Sequence, residues 1–296
     1  MREEYMIFTD VSADIDKEFA KEKDIHFIAM NYTLGEEERH CDGIEDEEIL
    51  KRFYDGQRDG DFTKTSQISP ANYMEAWEPY VKEGTSILYL SLSGGLSGTF
   101  QSSNLAARDL MEEYEGVSII SVDSLAATGG MGLLAEAAVF NREKGMSIEE
   151  NAEWLDNNKM RINHWFMVED LMYLKRGGRV SAATALVGTT LNIKPILTIN
   201  SEGKLPNIDK KRGVKAALNR LFELYQASSK EAEQEFENTI YLVHADDSMK
   251  VEMLEKRIME ANPNAIVKKM MLSPIIGAHV GPGMAAVIHW GQERTQ

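Results

Sequence analysis

The chain has 296 residues, 43% of them hydrophobic, enough to fill one large or two smaller globular cores. Its 48 acidic against 32 basic residues leave a formal charge of −16, which repels polyanions and argues against nucleic-acid or anionic-membrane partners. A single cysteine, Cys41, excludes an internal disulfide, no run of about 18 apolar residues offers a bilayer span, and Met1-Arg2-Glu3-Glu4 lacks the apolar core of a secretion signal, so a cytoplasmic protein is expected.

Residues 5–10 read as a short buried strand and 25–30 as the next. Asp10 and Ser12, at the first strand's end, either face a site or cap the segment that follows. Residues 36–61 read as an acidic loop followed by a helix over 46–55, with Glu45-Asp46-Glu47-Glu48 as a solvated face. The stretch 63–70 has neither helical nor strand period, and Ser69-Pro70 is an N-cap with proline at the first position of a helix over 71–80. That pair leaves Thr65-Ser66-Gln67 unexplained, three hydrogen-bonding side chains on a loop, where binding groups usually lie.

The apolar run Ile87-Leu88-Tyr89-Leu90 leads into Ser91-Leu92-Ser93-Gly94-Gly95-Leu96-Ser97-Gly98-Thr99-Phe100-Gln101, three glycines and four hydroxyls between a strand and a helix. Glycine lets backbone approach a ligand, and a helix beginning here offers free N–H groups, which suits an anion; a plain connecting loop is the alternative. The spacing has neither the Gly-x-x-x-x-Gly-Lys-Ser/Thr of a P-loop nor the second glycine of a Gly-x-Ser-x-Gly elbow, so neither a P-loop nucleotidase nor an α/β-hydrolase is supported. A helix over 103–114, a strand over 117–124 and a helix over 126–143 continue an alternation that predicts a mostly parallel, three-layered α/β sheet with Asp10, Ser91 and Asp123 along one edge.

The first pattern ends at 144–147, and a connecting helix over 148–159 places the boundary between an N-terminal domain, 1–160, and a C-terminal domain, 161–296. The second set comprises strands over 165–168, 193–199, 239–243, 265–271 and 285–290, a helical turn over 171–176, and amphipathic helices over 212–225 and 249–260. Leu174-Lys175-Arg176-Gly177-Gly178-Arg179 reads as a helix end with a glycine C-cap and cations near the carbonyl end of the dipole. Lys210-Lys211-Arg212, followed by Lys215, is a basic cluster at a predicted helix start, where cations oppose the dipole; it is either a solvated face or a partner surface. The 6 histidines and Cys41 show no metal-ligand spacing, so no metal is expected, and the 16 methionines read as core fillers.

Taken in order, Thr65-Ser66-Gln67, the stretch Ser91 to Gln101, Asp123-Ser124, Leu174-Lys175-Arg176-Gly177-Gly178-Arg179-Val180-Ser181 and Gly277-Ala278-His279-Val280-Gly281-Pro282-Gly283 resemble the DegV family of fatty-acid-binding proteins, the carrier subunits of bacterial fatty-acid kinase. The resemblance runs over nearly the whole chain. It implies an N-terminal three-layer α/β/α domain and a C-terminal two-layer α/β domain with a mixed sheet, related to the dihydroxyacetone-kinase binding subunit. It further implies one long-chain fatty acid held between the domains, no other cofactor, and a separate ATP-dependent kinase that phosphorylates the presented carboxylate for phospholipid synthesis. By the same resemblance Thr65 and Ser93 are carboxylate ligands, Gly94 adjoins them, His279 lies near the head group, and Arg212 with Lys211 faces the kinase. The chain departs from the family where Gly94 replaces a second serine found in many members, and where Gly213-Val214 replaces a more polar pair.

Two other classes remain open at this point. One is a hydrolase or phosphotransferase using Ser93 or Ser97 as nucleophile with His279 as base, although no third triad partner is evident. The other is an interaction module with neither ligand nor turnover. On its residues alone, His279 is either a satisfied structural histidine or a head-group contact.

Overall fold

The computed structural model describes residues 5–43, 46–180 and 192–294, so Glu45 of the acidic run and Ser181 of the glycine-arginine motif lie outside the described residues. The N-terminal half contains β1 (Tyr5–Asp10), α1 (Lys17–Glu22), β2 (Ile25–Ile28), β3 (Met30–Leu34), β4 (Glu37–Cys41), α2 (Glu47–Asp59), β5 (Thr63–Thr65), α3 (Pro70–Val81), β6 (Ser86–Ser91), α4 (Thr99–Glu113), β7 (Ile119–Asp123), α5 (Gly129–Glu143) and α6 (Ile148–Asn158). β2-β1-β6-β7 form a parallel sheet of four strands, covered on one face by α3 and α4 and on the other by α5 and α6. Ser91 pairs with Asp123 and Leu90 with Thr9, so the strand ends at Asp10, Ser91 and Asp123 do share one edge. Asp10 serves that edge as a latch: its carboxylate accepts the Ser12 N–H (3.0 Å), the Ser12 hydroxyl, the Tyr89 hydroxyl (2.8 Å) and the Leu92 N–H (3.3 Å).

The C-terminal half contains β8 (Ile162–Met167), α7 (Met172–Arg176), β9 (Ile193–Leu197), β10 (Asn207–Arg212), α8 (Val214–Ser228), β11 (Thr239–His244), α9 (Ser248–Ala261), β12 (Ile266–Met271), α10 (Pro274–Val280) and β13 (Ala285–Trp290). Its mixed sheet runs β10-β9-β8-β13-β11-β12, with only β11 and β12 parallel. Side chains alternate along β11: Ile240 and Leu242 face Leu221, Val251 and Leu254 of α8 and α9, whereas Tyr241 and Val243 join the core shared with the N-terminal half. The expected two-domain fold, a parallel N-terminal sheet and a mixed C-terminal one, is therefore the observed fold.

The two halves meet at the N-terminal turn of α5, where glycine makes the contact feasible. A Cβ on Gly129 would lie 2.5 Å from the Tyr241 Cβ, and one on Gly130 would overlap the His164 imidazole. Absence of side chains lets the helix backbone rest directly on the mixed sheet.

Several segments differ from expectation. The strand expected over 25–30 is two strands, the loop expected over 36–61 contains β4, and the aperiodic stretch contains β5; β4-β3-β5 make a small antiparallel sheet of their own. β4, with the sequence Glu-Glu-Arg-His-Cys, is mostly exposed, and β5 is 3 residues long, so neither has a buried face long enough to print a period. Lys210-Lys211-Arg212 is the end of edge strand β10 rather than a helix start; α8 begins at Val214 after Gly213 turns the chain at φ +83°. The helix-dipole argument therefore does not apply to this cluster. Pro274–Val280, for which the sequence pattern predicts no element, is the short helix α10 with proline in its first turn.

Because Gly130 abuts the fully buried His164, Gly130→Ala should lower the unfolding free energy by about 1–3 kcal/mol through overpacking. Denaturant titration checks this, and an unchanged midpoint would show that the contact can relax freely.

Candidate functional site

Between the parallel and mixed sheets lies a cavity enclosing about 770 Å³ of atom-free space, part of it continuous with solvent. Its interior is apolar. Phe166, Ala286 and Ile288 come from the inner face of the mixed sheet, Leu92 and Ala127 from the parallel-sheet edge, and Ile275 and Val280 from α10. These residues are all buried, whereas the polar lining residues Ser66, Gln67, Ser97 and Arg179 are at least partly exposed. An apolar interior with convergent polar groups at one open end is the form of a small-molecule site for an amphipathic ligand.

Thr65 and His279 are brought together there from opposite ends of the sequence. Thr65 ends β5, which pairs with β3 through Tyr32, and His279 sits in the last turn of α10. The Thr63 hydroxyl donates to the Ala278 carbonyl (3.1 Å) and the Gln57 amide to the Gly277 carbonyl (3.2 Å), fixing the helix on the strand. With that register set, the Thr65 hydroxyl lies 2.8 Å from His279 Nε2. His279 Nδ1 is buried against Gly177, at the C-terminus of α7, with no hydrogen-bond partner among the described residues. Burial, reinforced by the Arg179 cation, pushes the His279 pKa down to about 4, so the imidazole is neutral near pH 7. A neutral imidazole can donate to or accept from Thr65, leaving the pair able to turn a donor toward a ligand.

Arg179 is the cation of the site. Gly178 at φ +75° reverses the chain after α7, and Arg179 then reaches back, its Nε donating to the Leu96 carbonyl (3.1 Å) and its guanidinium also to the Gly177 carbonyl. It makes no ion pair with a carboxylate among the described residues, and burial depresses its pKa. An arginine drawn partly out of water, with carbonyl oxygens as its only partners among the described residues, is suited to an anion.

Ser93 and Gly94 do not line this cavity. Ser93 is fully buried, its hydroxyl donating to the Gly203 carbonyl (2.8 Å) and accepting from the Gly95 N–H (3.1 Å), while the Gly94 N–H donates to Asp123 (3.0 Å). They close the loop 91–98 onto the turn at Gly203. Ser97 does line the cavity, with its hydroxyl on Thr99 (2.7 Å). The hydroxyl paired with His279 is thus that of Thr65, and neither serine is hydrogen-bonded to the imidazole. The loop Thr65-Ser66-Gln67, singled out as unexplained by capping, lines the open end. Arg179 was hidden in a motif fully explicable as a helix end; the signal for it was the cation placed after, rather than before, the paired glycines.

Lys211 is paired with Asp209 (3.0 Å), whereas Lys210, Arg212 and Lys215 are exposed and form no ion pair among the described residues. No group of three or more His, Cys, Asp or Glu that could hold a metal occurs among the described residues, and no described helix is long and apolar enough to cross a membrane.

A sequence model of the DegV family matches residues 4–290. A DegV domain-containing protein of Clostridium perfringens is 38% identical over 290 residues, 98% of each chain. A DegV family protein from Thermus thermophilus, whose structure is described for its fatty-acid binding, superposes with a TM-score of 0.83 at 28% identity, covering 98% of this chain and 100% of that one. A Streptococcus pneumoniae fatty acid kinase B3 protein, loaded with linoleic acid, shares the fold at a TM-score of 0.82 and 21% identity, over 97% of this chain and 99% of its own.

The depressed His279 pKa has a measurable consequence. Between its ordinary value of 6.5 and about 4 the unfolded chain binds the proton and the native site does not, so this histidine makes stability fall as pH drops through that window. NMR titration of His279 should show a neutral ring down to about pH 5, and Arg179→Gln should raise the midpoint by removing the cation. A wild-type midpoint near 6.5 would contradict the burial of this ring.

Proposed function

The chain belongs to the DegV family, and from that premise we propose that it binds one long-chain fatty acid in the cavity and presents the carboxylate to a separate kinase, itself acting as a carrier rather than an enzyme. The observation that carries the reading is the pairing of a partly open apolar cavity with an arginine that has no carboxylate partner among the described residues and a Thr-His pair at its open end. A chain of about 14 methylenes gains on the order of 10 kcal/mol from burial at roughly 0.8 kcal/mol each, before the cost of association. The tail supplies affinity. A carboxylate taken out of water needs charge-assisted donors, which Arg179 and Thr65 offer, so the polar end fixes orientation and exposes the head group for chemistry.

Arg212 and Lys211 are proposed as the kinase contact. Cations on β10 stand out against a net charge of −16; Arg212 is exposed and without an ion pair among the described residues, while Lys211 shares Asp209, and such charges can steer an acidic partner. Charged side chains on an edge strand also discourage pairing with another chain, which is the competing reason for their presence.

Arg179→Gln should weaken fatty-acid binding about 10-fold or more, since a charged hydrogen bond contributes about 1.5–3 kcal/mol. Titration of delipidated protein with a fluorescent fatty acid measures it, and unchanged affinity would remove Arg179 from the head-group site. The double variant Lys211→Glu with Arg212→Glu should retain fatty-acid affinity and lose acyl-phosphate formation with the cognate kinase. Normal acyl-phosphate formation would make the cluster solvated surface only.

A further inference from the structure

The cavity has a closed end, and the path of the chain places it. β8 leads into α7 and on to Arg179, while β13 follows α10 and His279, so the two strands share the head-group end and run away from it side by side. Phe166 pairs with Ala286, and one step deeper, about 7 Å along the sheet, His164 pairs with Ile288. All four line the cavity. His164 is the last of them on β8 before the space is filled: a Cβ on Gly130 would overlap its imidazole, so α5 backbone lies directly behind the ring.

The wall at His164 is fixed on both sides. Its Nε2–H donates to the Ala127 carbonyl (3.3 Å), which joins the mixed sheet to the segment lining the opposite side of the cavity. Arg294 ties the same region from outside, its guanidinium donating to the carbonyls of Leu125 (3.0 Å) and of the cavity-lining Ile199 (3.1 Å). Burial, with the Arg294 cation adding to it, holds the His164 pKa well below the ordinary imidazole value, so the ring is neutral and faces an apolar chain without a charge to desolvate. An untethered aliphatic side chain here would turn between rotamers and let a chain past; an imidazole hydrogen-bonded across the gap does not.

We propose that the methyl end of the acyl chain stops against His164, so that this residue sets the longest fatty acid the site accepts. This deepens the fatty-acid reading above and rests on it. With the carboxylate held at Arg179 and Thr65, an acid of the right length reaches the wall with its head group in place. A longer one meets the imidazole first and has to buckle or give up head-group contacts. Affinity therefore rises with length as each methylene leaves water, passes through a maximum, and falls once the close-packed wall is reached.

The test uses the delipidated full chain and straight saturated acids from lauric to arachidic in competition against a fluorescent fatty acid. The wild type should show one optimum length. His164→Ala should raise affinity for the acid about two carbons longer than that optimum by about tenfold, the gain expected from burying the added methylenes. Ala127→Leu, which fills the same end from the opposite side, should move the optimum to a shorter acid, and it keeps the test decisive if the alanine variant does not fold. An unmoved optimum or equal weakening at every length in the folded variants, or a wild type with no optimum across the series, would overturn the proposal. Failure of every acid to bind the wild type would overturn the fatty-acid reading itself and this proposal with it.

Discussion

The direct seating of α5 on the mixed sheet governs the rest of the molecule. Gly129 and Gly130 bring helix backbone against Tyr241 and His164, which sets the gap between the halves of the chain. Beyond the helix N-terminus that gap is lined by Phe166, Ala286 and Ile288 from one side and Leu92 and Ala127 from the other. Had α5 carried ordinary side chains at these positions, the sheets would stand further apart and the cavity would open to water. The apolar space left between the sheets opens to solvent at the end lined by Ser66, Gln67, Ser97 and Arg179.

The electrostatics of the open end follow from the same burial. Desolvation makes His279 a neutral donor and acceptor and lowers the pKa of Arg179. A protein of charge −16 would be expected to pair a half-buried arginine with one of its 48 acidic side chains, as it does Arg161 with Glu237 at 2.8 Å. Among the described residues Arg179 has only carbonyl oxygens instead. Leaving that cation without a carboxylate has a cost that a bound anion removes, so the site prefers an amphipathic acid over a neutral lipid of the same length.

What the sequence made legible divides along physical lines. Central strands β1, β6, β11 and β13 are short apolar runs almost wholly buried, and such runs mark themselves in the sequence. The strands β4, β5 and β10 escaped because edge strands of three to six residues with charged side chains leave no hydrophobic period. α10 escaped because a helix of seven residues with a glycine at its centre is too short to establish a helical period, although it carries His279. Thr65 stood out because capping did not account for it. Arg179 did not, because a helix C-terminus accounts for cations and glycines without any ligand. The loop 91–98 drew attention as an anion cradle, but the Ser93 hydroxyl is held by Gly203, a long-range contact across 110 residues that no local pattern encodes.

The central claim, that an acyl chain fills the cavity between the sheets, is tested most directly by native mass spectrometry of the protein purified from bacterial cells. A single mass increment matching one long-chain fatty acid per chain, lost on extraction with organic solvent and recovered on adding the acid back, is the predicted result. A chain that carries no acyl ligand and takes up none when the acid is added would contradict it.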